Sequence, residues 1–495
     1  MNFRFPVTGS CLAVALCLFA GPTPLLADGT PADGPTPPSP PTFLGEGLLT
    51  AAGRIPLRDA ADIETSRWSI GGECLDRDYA DYDAYKRYLG PLGAKRIRLQ
   101  AGWAKCERTP GVYDFAWLDG VVDDAVARGV RPWLQLSYGN PAYAGGGRAA
   151  LGGGIPRSDA ALVAWDAWVA ATVTRYRDRV DAWEIWNEPD HKRPYSPAEF
   201  AAFHTRTAET VRRLQPDATV IGLGLAAAFP SPFVDAFLDE LAATGRRDLL
   251  DVITYHGYTP APEATTRNIA RLRARVAAFD PEVRLWQGEN GCPSAPANTS
   301  VGALHREDWT ELSQAKWVLR RMAEDLRNDV EVTSIFTIAD LHYAAGDAFR
   351  GRNAKGLIET ASDGSVVRVK EAWHAFRHFA NLFTGDPVQT PAVVARIPDA
   401  DPYRVTLTRD NAVAVVLWNG GEKPTERRAA DLVPVSITGH AFTDPLVFDP
   451  LSGRVWRPAS VETTPDGTRL AAVPLWDSPT VILDAAWLHG RPPAE

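Results

Sequence analysis

The stretch Trp183-Glu184-Ile185-Trp186-Asn187-Glu188-Pro189-Asp190 is an apolar strand that stops on a carboxylate and a proline. Proline has no N–H to give a sheet ladder, so Pro189 is expected to end the pairing and leave Glu188 at the strand's carboxyl rim. A second stretch has the same form. Val283-Arg284-Leu285-Trp286-Gln287-Gly288-Glu289-Asn290-Gly291 is a short apolar strand that runs into an acid and two turn residues. In a barrel of parallel strands that rim carries the chemistry. Cleaving a glycosidic bond needs a proton for the leaving oxygen and a nucleophile on the other side of the sugar carbon, and two strand-end carboxylates can supply both.

Outward from these two stretches, short apolar runs alternate with longer amphipathic ones between Trp68 and Asp340. The strands expected are Trp68 to Gly72, Arg96 to Gln100, Arg131 to Ser137, Ala182 to Trp186, Thr219 to Leu223, Val252 to Tyr255, Val283 to Gln287 and Ser334 to Ile338. Between them lie helical periods. In Asp159 to Tyr176, for example, Leu162, Trp165, Val169, Val173 and Tyr176 recur at three- and four-residue steps, which assigns Trp165 and Trp168 to packing rather than function. No Gly-rich phosphate turn follows the first strand, so the α/β class resolves to a (β/α)8 TIM barrel rather than a doubly wound sheet. A helix is expected from about Val369 to Leu382. Beyond Pro387 and Pro391 the text changes to short alternating runs, such as Tyr403 to Thr408 and Ala412 to Trp418, separated by turns at Asn419-Gly420-Gly421, Ser452-Gly453 and Asp466-Gly467. This reads as a C-terminal antiparallel β-sandwich, to which Leu48 to Arg58 adds a strand.

The ends of the chain carry their own signals. Arg4, the apolar run Cys11 to Ala20 and the small residue Ala27 read as an export signal, too short in its apolar part to span a membrane. The Pro- and Gly-rich text that follows reads as a linker. The division expected is therefore 1–27 signal peptide, 28–47 linker, 48–385 catalytic barrel and 386–495 β-sandwich. Signal removal leaves Cys74, Cys106 and Cys292. Export permits a disulfide, and Cys74 and Cys106 follow neighbouring strands, so a bridge between them is open.

A formal net charge of −9 over 495 residues argues against a nucleic-acid partner, because phosphate binding needs concentrated Lys and Arg, and none is expected. Sixteen tryptophans suit the flat faces of sugar rings as well as cores. Nine scattered histidines form no metal-ligand spacing, and no cofactor motif is present, so neither a metal nor a cofactor is expected. The expected partner is a carbohydrate, an oligo- or polysaccharide, with no membrane insertion once the signal is removed.

The segment Trp183 to Pro189 resembles the Asn-Glu-Pro signature of the fourth strand in clan A glycoside hydrolases, and its Trp-Asn-Glu-Pro form is most similar to family 39. The resemblance implies a retaining hydrolase acting by double displacement on a β-linked glycan, with Glu188 as acid/base and Glu289 as nucleophile. It further implies that Asn187 holds the sugar 2-hydroxyl, that Arg98 supports the nucleophile, and that His256 and Tyr258 contact the sugar and Glu289. Phe336 stands where the clan usually places a tryptophan platform on strand eight. From the residues themselves, Glu184 reads as a structural ion-pair partner. Trp103, Tyr138, Asn140 and Tyr143 either line sugar subsites or pack as loop residues. A transglycosylase using the same pair, or a carbohydrate-binding protein without turnover, are the alternative readings.

Overall fold

A computed structural model describes residues 36–43, 47–191, 195–227, 229–345 and 348–488. The expected export signal and most of the expected linker lie outside the described residues. Eight parallel strands close into a barrel: β1 Trp68–Gly71, β2 Arg96–Gln100, β3 Arg131–Leu136, β4 Ala182–Ile185, β5 Thr219–Leu225, β6 Val252–Tyr255, β7 Arg284–Asn290 and β8 Thr333–Ile335. Helices cross between them. Asp159–Tyr176 runs as its periodicity requires, started by Ser158, whose hydroxyl accepts from the Ala161 N–H; Trp165 and Trp168 are fully buried on it.

Two strand ends differ from expectation in ways that matter for the site. Pairing on β4 ends at Ile185, ahead of Pro189, because Trp186 and Glu188 take left-handed φ values of 70° and 48°. Non-glycine residues hold that conformation only where their surroundings force it. Here the Glu188 N–H donates to the Gly224 carbonyl at 2.9 Å, which pins the turn against the end of β5. On β7 pairing continues through Asn290, so Glu289 sits on the strand itself.

The barrel interior is layered by register, as inward-pointing residues of neighbouring parallel strands must be. At its floor Trp133 and Trp286 meet with ring centres 5.2 Å apart, packed with Ala182, Ile221, Val252 and Val332. Arg98 lies level with Trp133, and Gln135 with Glu184, so a polar layer rises directly from this apolar plug.

After β8 the chain forms two hairpins that the sequence did not announce, Leu341–Ala345 with Ala348–Asn353 and Ile358–Thr360 with Val366–Val369, then helix Glu371–Leu382. Two sheets follow. One orders Val388–Gln389, Tyr403–Arg409, Ala412–Trp418, Thr480–Asp484, Pro445–Asp449, Arg454–Pro458 and Leu49–Arg54, so the N-terminal segment does supply its last strand. The other is built around Ala429–Thr438 and Gly467–Leu475, and Thr42–Phe43, inside the expected linker, pairs with it in parallel. Strand Ala412–Trp418 is buried on both faces. Val413, Val415 and Leu417 pack against Val435, Ile437 and Leu470 of the second sheet, while Ala414, Val416 and Trp418 join the core that includes the barrel.

Cys74, Cys106 and Cys292 are all free thiols, and all are buried. The bridge considered for Cys74 and Cys106 is therefore not formed. Cys106 Sγ donates to the Ala101 carbonyl at 3.2 Å, while Cys74 Sγ accepts from Arg77. Among the described residues no helix is long and apolar enough to cross a membrane.

Candidate active site

The polar layer converges on Arg98, whose side chain is fully buried. Its Nε donates to Glu184 at 2.7 Å and its Nη2 to the Asn187 amide oxygen at 2.9 Å. Its Nη1 is shared between Glu73 at 3.1 Å and Glu289 at 2.8 Å. Gln135 Nε2 bridges Glu184 and Asn187, and the Thr254 hydroxyl donates to the second Glu184 oxygen. Glu184 is thus the structural ion-pair partner that its mid-strand position suggested. Asn187 is oriented from below through its carbonyl oxygen, with Arg98 and Gln135 both donating to it.

Above this layer the barrel opens into a cleft of about 950 Å³ whose walls include Asn187, Glu188, Tyr258, Glu289, Phe336 and Lys355. Glu188 and Glu289 are each 12% exposed, and a carboxylate oxygen of one lies within 4.8 Å of a carboxylate oxygen of the other. His256 stands beside both, with Nδ1 at 2.9 Å from Glu188 and 3.9 Å from Glu289. Both Glu289 oxygens are held: Oε1 accepts from the Tyr258 hydroxyl at 2.8 Å and Oε2 from Arg98.

The charges divide accordingly. Burial opposes ionisation of Glu289, but His256, Arg98 and the Tyr258 hydroxyl more than offset it and hold its carboxyl below the usual range. Burial likewise opposes a charge on His256, and the facing Glu289 and Glu188 raise its pKa nonetheless. Glu73 goes the other way. Burial, reinforced by the negative charge of Glu289, raises it well above the ordinary carboxylate value despite Arg98. One guanidinium cannot neutralise three buried carboxylates, and Glu73 is the one whose pKa is pushed up. The spacing of Glu188, His256 and Glu289 could also admit a small cation. Arg98 and a His256 biased toward its protonated form oppose one there electrostatically.

Of the expected site residues, Glu188, Glu289, Asn187, Arg98, His256, Tyr258 and Phe336 are brought together at this end of the barrel. Trp103 and Tyr138 are not in the cleft wall. Trp103 is fully buried, stacked on Tyr143 at 5.6 Å and wedged against Trp165 and Trp168, with its N–H on Glu107. Tyr138 is 2% exposed, edge-on to Trp186, with the Arg77 guanidinium 5.0 Å from its ring centre and its hydroxyl accepting from Gln100. Both buttress the strands from behind. Asn140 and Tyr143 serve the same packing, since both bond Glu107. Sequence reasoning missed Glu73 and Lys355. For Glu73 the signal was its place directly after Gly71-Gly72 at the end of β1; a Cβ at Gly71 would lie 2.1 Å from the Glu73 carboxyl, so a side chain there would displace that acid. Lys355 falls between the two unannounced hairpins, where no pattern pointed.

Comparison with known proteins points to the same fold and class of enzyme. The family profile described as Glycosyl hydrolases family 39 matches residues 103–283. A β-xylosidase of Geobacillus stearothermophilus is 25% identical over 379 residues, covering 70% of this chain and 70% of that protein. Among solved structures, a family 39 glycoside hydrolase from Bacteroides cellulosilyticus WH2 aligns with a TM-score of 0.57 at 16% identity, over 86% of this chain and 81% of that one. A monomeric β-xylosidase from Caulobacter crescentus CB15 gives 0.57 at 18% over 87% and 98%, and a family 39 enzyme from Xanthomonas axonopodis pv. citri gives 0.57 at 19% over 90% and 97%. The structural likenesses carry the fold, and the matched segment spans β4 with its Asn187-Glu188-Pro189. The protein is a glycoside hydrolase whose likenesses are to family 39.

Proposed function

We propose that the protein is an exported retaining β-glycosidase in which Glu188 is the acid/base and Glu289 the nucleophile. The observation that carries this reading is the approach of the two carboxyl groups within 4.8 Å at their nearer oxygens, across one cleft. Carboxyl separations of about 5 to 5.5 Å favour a covalent intermediate, whereas inverting enzymes need room for a water between the acids. In the first step Glu188 gives its proton to the leaving oxygen while Glu289 bonds to the anomeric carbon. In the second, the Glu188 carboxylate takes a proton from water, whose oxygen displaces Glu289 and preserves the configuration. Arg98 and Tyr258 keep Glu289 ionised and aimed, His256 orients Glu188, and the Asn187 amide nitrogen is left to meet a sugar hydroxyl. Phe336, 6% exposed in the cleft wall, offers the smaller ring on which a sugar can stack.

The substrate class is a β-linked glycan or its oligosaccharides, and the name of the Geobacillus relative makes a β-xyloside the first substrate to try. The two C-terminal sheets are read as a β-sandwich over 386–495 that stabilises the barrel rather than binding sugar: Trp418, Phe442, Phe448, Trp456, Trp476 and Trp487 are all buried. Export rests on the first 27 residues and is checked by N-terminal sequencing of protein recovered outside the cytoplasm.

Chemical rescue tests the roles. Glu289→Gly should lose about 10⁴-fold or more in kcat and, with azide, release the α-glycosyl azide. Glu188→Ala with azide should release the β-anomer. Hydrolysis undiminished in either variant sinks the assignment, and longer oligosaccharides among the wild-type products would make the enzyme a transglycosylase on the same pair.

A further inference from the structure

Three lysines of the described chain are almost fully buried, Lys316, Lys355 and Lys370. An ammonium taken out of water needs a negative partner to replace its hydration. Lys316 has one: its Nζ bonds Asp477 at 2.7 Å and two backbone carbonyls. Lys370 has one too, Asp340 at 2.7 Å, with the Ala354 carbonyl beside it. Lys355 has none among the described residues. Its single bond is to a neutral oxygen, Asn353 Oδ1, at 3.3 Å.

Lys355 is also the one of the three in the cleft wall, together with Glu188 and Glu289. Its Nζ lies 5.7 Å from the centre of the Tyr258 ring, whose hydroxyl holds the nucleophile. The surroundings are built to keep it there. Asn353 is fixed by donating to the Tyr343 hydroxyl at 2.9 Å, which leaves its oxygen for Lys355. The Lys355 carbonyl accepts from Gln314, and the N–H of Leu357, two residues on, donates to the Thr337 carbonyl at 2.9 Å. Gly302 faces the ammonium in a left-handed conformation; a Cβ there would come within 3.1 Å of Nζ and occupy the space beside it. A cation positioned, buried and left without its counter-ion in the cleft that holds Glu188 and Glu289 is half of an ion pair.

We propose that the missing half is carried by the substrate: Lys355, with Asn353, receives an anionic substituent on the sugar held over Glu289, so that the enzyme prefers acidic glycans, carboxylated or sulfated, to neutral ones. The inference rests on the retaining β-glycosidase reading above and adds the class of sugar to it. The titratable groups facing Lys355 are Glu289, Cys292, Tyr258 and Tyr343, with His305, Arg306 and Glu307 further along the wall. Burial lowers the Lys355 ammonium to about 8, against the opposing pull of Cys292 and Glu289. The ammonium is therefore charged below that pH and the preference for anions fades as pH rises through it.

The test compares nitrophenyl β-glucuronide and 6-sulfated β-glucoside with the neutral β-glucoside and β-xyloside on the full chain. Wild type should favour at least one charged substrate in kcat/KM over the glucoside. Lys355→Met should lower that ratio by about 10- to 100-fold, the size of one lost hydrogen bond between charged groups. Asn353→Asp is the second variant: it leaves the lysine in place but gives it a carboxylate of its own, and it should abolish the charged preference as well. The carboxylate and sulfate arms identify which anion fits. A wild-type ratio at or below one, or equal losses on charged and neutral substrates in Lys355→Met, overturns the inference. Neutral turnover that still requires Glu188 and Glu289 would then leave the glycosidase reading standing, whereas absence of any turnover would fall on that reading instead.

Discussion

Arg321 and Arg98 are both fully buried and both meet carboxylates, yet their surroundings are balanced differently. Arg321 has one acid, Asp325, four residues along the same helix, and its remaining N–H groups go to Thr265 and the Pro262 carbonyl. Thr333 completes Asp325 from β8. Nearby Arg320 pairs with Glu263 alone, by two bonds of 2.8 and 2.6 Å. Arg98 has three acids, and one Glu73 oxygen is left without a partner. Burial of an ion pair therefore does not mark function in this molecule. A surplus of acid around one cation is what sets the cleft apart, because it raises the pKa of one carboxyl while another at the cleft's edge is held low.

The comparison can be broken at either end. Asp325→Ala should cost about 3 to 5 kcal/mol of stability, since it strands a buried guanidinium, while kcat/KM per folded molecule stays at the wild-type level; denaturant titration and assay of the same sample read both. Loss of activity without loss of stability would erase the distinction drawn here. Arg98→Met should lower kcat by about 10²- to 10³-fold, the effect of removing one preorganised donor. It should also move the acid limb of the pH–rate profile upward. The sign follows from the role proposed for Glu289, which as a nucleophile would have to be ionised: Arg98 helps hold its pKa below the ordinary value, so activity should survive to lower pH with the arginine than without it. The smallest effect belongs to Glu73→Gln. If Glu73 already carries its proton, exchanging a neutral acid for a neutral amide should change kcat by about fivefold or less at neutral pH, about 1 kcal/mol in the barrier. A drop as large as that of Arg98→Met would mean that a third charged acid is needed at the site.

Much of this arrangement was legible in the sequence, and the physical reason is local. Glu188 and Glu289 announce themselves because apolar strands stop beside them, and strand placement fixes where they stand on the barrel. Glu184 was legible because a charged residue inside an apolar strand must find a partner. Side-chain direction beyond the strand ends was not. Trp103 and Tyr138 sit just past β2 and β3 as expected, but both rings pack into the core behind the cleft instead of facing it, and no residue pattern encodes that direction. Pro189 was read as the terminator of β4, whereas Trp186 and Glu188 turn the chain first. Lys355 was invisible because its meaning lies in what it lacks, a neighbouring carboxylate supplied by some other part of the chain.

Strand Ala412–Trp418, apolar at every position and covered on both sides, has a practical consequence for anyone trimming this enzyme. Its two halves of contact face different modules, so the boundary near residue 385 that looks like a seam in the text is no place to cut. A fragment ending there would leave hydrocarbon on the barrel open to water and would also leave Leu49–Arg54 without the sheet it completes. Both the N-terminal strand and the C-terminal sheets therefore belong in any fragment meant to keep the barrel covered.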